Sequence, residues 1–468
     1  MKTFQVFISL MLLSSIVVAQ TVTEKLQVAV EKLKKDSATK YASFSLYVVN
    51  SNSNELVFDY QGDVGLAPAS CQKIITSASG FELLGTNYQY KTTLQYSGNI
   101  ESGLLKGDVF LTGFGDPSLG SWRFNATKDS ILLSRWIDAF LNAGIKRIDG
   151  NIYLDATSFT YQPLPGGWVW DDIGNYYGAG TWGLNWRENQ YDVLLQSGNQ
   201  ENDEVFVIDT KPALVNATLK PVLVAGKKGS GDNAYIYLPP NSNNGFIDGT
   251  IPAGENKFVI SGAIPNPIQL IKQLLQEKLA NAGITYKSML DKFLLDEKKD
   301  DNHLLKNIYT HSSPSYDSLN YWFMKRSINL YGEAFIKTFA YQQQKLVSTQ
   351  EGVKIVQKLW QSKGIDPMAL NIVDGSGLSP QNRITTKTLV QILQYAKNQT
   401  WYPQLSAAFP LYNGMKLKSG TIHGVKSFAG YHTSKNGTNY TLAIIMNNFN
   451  GKASDIVKKM YLVLDELK

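Results

Sequence analysis

The sequence predicts an α/β protein in which a sheet domain built from both ends of the chain encloses a β-rich insertion. Three observations carry this. A helix and a strand pair are legible at each terminus. Further helical periodicity occupies about 267 to 400. The stretch from about 88 to 265 consists instead of short apolar strands set among Gly, Asn and Pro. At 468 residues the chain is long for one core, so two or three domains are expected.

The elements follow in order. Residues 22–36 place Leu26, Val30 and Leu33 at helical spacing with Lys and Glu between them. Strands are expected over 43–49 and 55–60, around the polar turn 50–54. A helix should begin near Ser70 and end near Gly85. In the insertion, 108–111, 151–154 and 235–238 read as strands and 129–143 as a helix. Near the C-terminus, 427–433 and 440–447 flank Lys435-Asn436-Gly437, a strong hairpin signal. The last helix carries Ile456, Met460, Leu464 and Leu467 on one face. The expected organisation is therefore 21–87 with 266–468 as one domain and 88–265 as an inserted region of two subdomains.

Residues 1–20 read as an export signal. Lys2 opens an apolar, uncharged run from Phe4 to Val18, and Val17-Val18-Ala19 supplies small residues at a cleavage point. The run is short for a membrane span, with a retained anchor as the competing reading, and no span is expected after cleavage. The net charge of +6 is dispersed, with no long basic run and no nucleic-acid motif. The single cysteine, Cys71, excludes an intrachain disulfide.

Three short strings could carry chemistry. Ser70-Cys71-Gln72-Lys73 puts a lysine one helical turn after a serine, on the same face. A serine hydroxyl needs a base to become a nucleophile, and a lysine serves only when neutral, which requires a lowered pKa. Ser37-Ala38-Thr39-Lys40 shares the spacing and reads as a turn. Ser327-Ile328-Asn329 offers a proton relay and an amide, a spacing shared by several turn segments. Lys418-Ser419-Gly420-Thr421 sets a cation and hydroxyls on a strand, with a glycine that lets substrate backbone come close. Each string is weak alone. Their order, with the serine opening a helix and the lysine string preceding a hairpin and the last helix, is that of the penicillin-binding proteins and serine β-lactamases.

With these motifs the chain resembles the D-alanyl-D-alanine carboxypeptidase/endopeptidase family, the class C low-molecular-mass penicillin-binding proteins (peptidase family S13). The likeness extends through Gly113-Phe114-Gly115-Asp116-Pro117, Trp168-Val169-Trp170-Asp171-Asp172, the segment 324–333, Asp374-Gly375-Ser376-Gly377-Leu378-Ser379 and Ala429-Gly430-Tyr431, nearly the whole mature chain. The 257 positions between Ser70 and Ser327 far exceed the gap of a β-lactamase and leave room for inserted domains.

The resemblance implies a penicillin-binding, serine β-lactamase-like transpeptidase fold of the α/β (α+β) class with inserted β-rich domains. It implies Ser70 as nucleophile, Lys73 as its base, Ser327 as proton relay and Asn329 as a holder of the substrate amide. Lys418 and Ser419 would bind the terminal carboxylate, Gly420 would let substrate approach, and the N–H groups of Ser70 and Thr421 would form the oxyanion hole. Asp172 would meet a free amine on the peptide side chain. Partners would be peptidoglycan peptides and β-lactams, in the periplasm or at the cell wall. No cofactor or metal is implied, and the four histidines form no ligand string.

The chain departs from the family pattern at Ser419, where Thr is usual, and at Ile328, where Asp is common. Cys71 also stands where Thr or Asn is frequent; it reads as a buried core thiol. The alternatives are a β-lactamase or esterase on the same fold, or an idle cell-wall-binding protein.

Overall fold

The computed structural model describes residues 20–293 and 305–468; the expected export signal, apart from Gln20, lies outside them. A six-stranded sheet runs in the order Leu56–Tyr60, Ser43–Asn50, Asn439–Asn447, Val425–Thr433, Met415–Ile422, Leu411–Tyr412, every neighbour antiparallel. Strands from the two chain ends meet at its centre, where Ser43 pairs Asn447 and Asn50 pairs Tyr440. Asn439–Asn447 is buried along almost its whole length, so it reads as an apolar run rather than an alternating one.

One sheet face packs against the terminal helices Val22–Lys35 and Ala453–Leu464, through Leu26, Val30, Leu33, Ile456 and Met460. The helical periods seen in the sequence are these buried stripes. Leu467 follows in a short 3₁₀ turn and is buried with them. The opposite face is covered by a helical layer that includes Lys73–Leu83, Tyr316–Arg326, Asn329–Gln342 and Thr386–Lys397, with its own core.

The insertion has a separate core. Its largest sheet orders Ser288–Lys292, Asn151–Asp155, Val109–Gly113, Lys91–Tyr96 and Lys306–Ser312. Smaller sheets follow, one of them Val205–Lys211, Gln190–Ser197 and Phe258–Ala263. This corrects the boundary expected at 265. Helix Pro267–Asn281 buries Ile268, Ile271, Leu275 and Leu279 in the insertion's core, and Lys306–Ser312 pairs with Lys91–Tyr96. The insertion therefore runs to about 312. Periodicity shows that a helix has a buried face but not which core receives it. No described helix is long and apolar enough to cross a membrane.

Candidate active site

Ser70 lies on a 3₁₀ turn, Ala69–Gln72, that leads directly into the α-helix Lys73–Leu83. Ala69 sits at φ +45°, a left-handed conformation that an alanine adopts at a cost of about 1 kcal/mol or more. The surroundings hold the turn in place. Asn447 at the end of the central strand donates to Ala67 O (3.1 Å) and accepts from Ala67 N (2.9 Å). The Ser427 hydroxyl donates to Pro68 O (2.5 Å), and the Cys71 thiol donates to Lys418 O (3.1 Å). Cys71 is fully buried, and burial pushes its thiol up to about 11, so it packs as a neutral core group. Gly420 is where strand Met415–Ile422 passes the turn: a Cβ there would lie 2.6 Å from Pro68 O and 2.8 Å from Ser70 N.

Lys73 is completely buried. Its Nζ lies 2.9 Å from Ser70 Oγ, 2.6 Å from Asn329 Oδ1 and 2.7 Å from Ser376 O. Burial, and then the nearby Lys418 cation, hold its pKa well below the ordinary lysine value, against the opposing pull of Asp374 and Glu333. A neutral amine has two hydrogens and one lone pair. The two hydrogens suit the oxygens of Asn329 and Ser376, which leaves the lone pair for the Ser70 proton.

Ser327 caps helix Tyr316–Arg326 in the left-handed region (φ 57°, ψ 40°), and Asn329 opens the next helix after buried Ile328. The tight turn brings both side chains to the cleft. Lys418 Nζ donates to Ser327 Oγ at 3.0 Å and to Ser419 O at 2.9 Å, and burial lowers its pKa to about 8. Ser70, Ser327, Asn329 and Thr421 line one cleft of about 740 Å³ together with Asp171, Asp172, Tyr177 and Arg123 from the insertion. The three strings, 257 and 91 positions apart, thus converge. Asp172 stands on the short helix Trp170–Ile173; burial, then Asp171, raises its pKa to about 6, opposed by the Tyr177 hydroxyl.

Several supporting residues carried no assigned role in the sequence. Glu333, buried on the helix of Asn329, accepts from Gly375 N (3.1 Å) and Ser376 N (2.9 Å), and so aims the carbonyl that Lys73 meets. Burial and Asp374 raise its pKa. Asp374 accepts from Gln72 Nε2 (2.9 Å), Gly377 N (2.8 Å), Ser379 N (2.7 Å) and, from the insertion, Trp168 Nε1 (3.0 Å). Tyr177 O accepts from Asn329 Nδ2 (2.8 Å). An acid inside a glycine-rich turn was the available signal for Asp374; nothing in the sequence points to a backbone carbonyl such as Tyr177 O.

The profile of the D-Ala-D-Ala carboxypeptidase 3 (S13) family matches residues 26–467. The chain belongs to this family. It is accordingly a serine peptidase of the D-alanyl-D-alanine carboxypeptidase class. It is 26% identical over 423 residues to the D-alanyl-D-alanine carboxypeptidase DacB of Haemophilus influenzae, covering 86% of this chain and 84% of the relative. It is 25% identical to the D-alanyl-D-alanine carboxypeptidase of Actinomadura sp. strain R39, covering 91% and 81%. The crystal structure of penicillin binding protein 4 (dacB) from Haemophilus influenzae superposes with a TM-score of 0.79 at 22% identity, over 94% of this chain and 99% of that one. The S13 member described here therefore has the penicillin-binding fold, with its insertion included in the match.

Proposed function

We propose that Ser70 is the acyl-accepting nucleophile of this S13 peptidase, acting on the D-alanyl-D-alanine ends and cross-links of peptidoglycan stem peptides, and that β-lactams acylate the same hydroxyl. The observation that carries the proposal is the buried Lys73 amine, within hydrogen-bond reach of Ser70 Oγ and with its remaining partners already provided.

The reaction is acyl transfer to water. Lys73 Nζ takes the Ser70 proton as Oγ bonds to the carbonyl carbon of the penultimate D-Ala. The N–H groups of Ser70 and Thr421 receive the oxyanion, each worth about 3–4 kcal/mol in a site of this type. Ser327, hydrogen-bonded to Lys418, relays the proton taken up by Lys73 on to the departing amine of D-Ala or of a cross-bridging peptide, so that Lys73 is again neutral. Water then releases the acyl group. Lys418 and Ser419 hold the terminal carboxylate, and Asn329 the substrate amide. Asp172, facing the same cleft, meets a cationic amine at the end of the peptide side chain. No glutamate matches the one that class A β-lactamases use for deacylation, and Glu333 is already taken by backbone N–H groups, so penicilloyl esters hydrolyse slowly. A peptidoglycan substrate and the leader-like residues 1–20 support a location outside the inner membrane, in the periplasm or at the wall.

The test is Ser70→Ala. It should abolish D-Ala release from a D-Ala-D-Ala peptide while leaving the unfolding midpoint close to that of the parent. Persisting release would assign the chemistry elsewhere.

A further inference from the structure

Lys337 lies eight residues after Asn329 on the same helix, about 12 Å along its axis. Its side chain is 1% exposed, yet among the described residues no carboxylate lies within ion-pair distance of it. Its Nζ instead donates to Gln162 O (2.8 Å) and Thr181 O (3.1 Å) and sits 5.6 Å from the centre of the Phe159 ring. Gln162 and Thr181 are the two ends of one insertion loop, closed beside them by Thr181 N donating to Pro163 O at 3.1 Å. Further along, the loop meets the catalytic domain again. Ser379 Oγ donates to Gly167 O (2.9 Å), Trp168 donates to Asp374, and Asn329 donates to Tyr177 O. The helix therefore ties the loop at two points, its neck through Lys337 and its cleft end through Asn329.

A buried amine with no carboxylate partner is a poor core group, and an apolar side chain of similar length stabilises such a position at least as well. The lysine is explained by the loop, since a single Nζ supplies donors to carbonyls on both strands of the neck. We propose that Lys337 is a positioning residue that sets peptide selectivity by holding loop 162–181, and with it Asp172 and Tyr177, against the cleft. The selectivity half of this proposal rests on the function proposed above; the holding half does not.

The test compares the full-length protein with its Lys337→Met and Lys337→Gln variants. Lys337→Met should raise amide hydrogen exchange across 163–180 and raise KM for a D-Ala-D-Ala stem peptide with a free side-chain amine by about tenfold. It should change kcat and penicillin acylation much less. Lys337→Gln, which keeps one donor, should fall between. Unchanged exchange and KM in Lys337→Met would overturn the proposal. Should neither variant fold, limited proteolysis of the parent protein decides. Protection of 163–180 until global unfolding supports a held neck, and ready cleavage within it in the native protein refutes one. If the parent neither cleaves peptide nor takes penicillin, the reading of Ser70 fails, while the exchange comparison still judges the holding role.

Discussion

Gly420→Ala tests the closest approach in the site. The added methyl would sit 2.6 Å from Pro68 O, 2.8 Å from Ser70 N and 2.3 Å from Ser427 Oγ. The serine hydroxyl could rotate away only by giving up its bond to Pro68 O, and the first two atoms are backbone of the turn that carries Ser70. Restoring ordinary contact requires the strand and the turn to part by roughly 0.6–0.8 Å. The turn is fixed by Asn447, Ser427 and Lys418, so it has little freedom to yield. Overpacking of this kind destabilises by about 1–3 kcal/mol. The kinetic effect should be larger, because the same displacement separates the Ser70 and Thr421 N–H groups that would receive the oxyanion. Misplacement approaching 1 Å lowers a rate by up to about a hundredfold, so a loss of roughly ten- to a hundredfold is expected. The assay is the second-order rate of acylation by a fluorescent penicillin, with the unfolding midpoint measured alongside. A rate within about twofold of the parent, in a folded protein, would show that strand and turn do not meet as described.

Four further outcomes are expected. Lys73 acts as a base only when deprotonated, so acylation should fall as pH drops through its lowered pKa, and Lys73→Met should cost about a hundredfold or more above that pKa and progressively less below it. Lys418, lowered to about 8, loses its proton as pH rises through that value. KM for a free-carboxylate peptide should therefore climb above pH 8, while an amidated peptide shows no such rise. Asp172→Asn should reduce cleavage of a stem peptide with a free side-chain amine more than cleavage of its acetylated counterpart, and equal losses would make Asp172 structural. Glu188 is fully buried, holding Arg123 Nε at 2.7 Å and accepting from Tyr331 at 2.9 Å. Glu188→Ala should lower unfolding free energy by about 3 kcal/mol in denaturant titration, the low end for a broken buried pair because Arg123 keeps some water contact.

Much of the candidate site's layout was legible because the residues that form it are local in sequence. Ser70 and Lys73 share a helical face, and Ser327 and Asn329 flank one turn. Gly420 follows its lysine by two residues on a strand. The terminal sheet was legible for the same reason, since Lys435-Asn436-Gly437 fixes a hairpin and Leu26, Val30 and Leu33 a helix face. What escaped depends on contacts between distant segments. The buried face of Pro267–Asn281 is plain, but only the fold shows that it belongs to the insertion's core. Trp168, one of many aromatics in 160–190, packs at the domain junction and bonds Asp374, whereas Trp182 and Trp186 fill the insertion's core. Glu333 and Lys337 lie on a helix buried all round, where a charged residue breaks the apolar pattern without revealing its partner.

The central claim is that the Ser70 hydroxyl, beside a neutral Lys73, is the group that is acylated. The direct measurement is mass spectrometric mapping of the adduct formed with benzylpenicillin. The account predicts a single penicilloyl group on the peptide containing Ser70, localised by fragmentation to the serine and absent from Ser70→Ala. An adduct on Cys71 or Ser37, or labelling that survives Ser70→Ala, would contradict it.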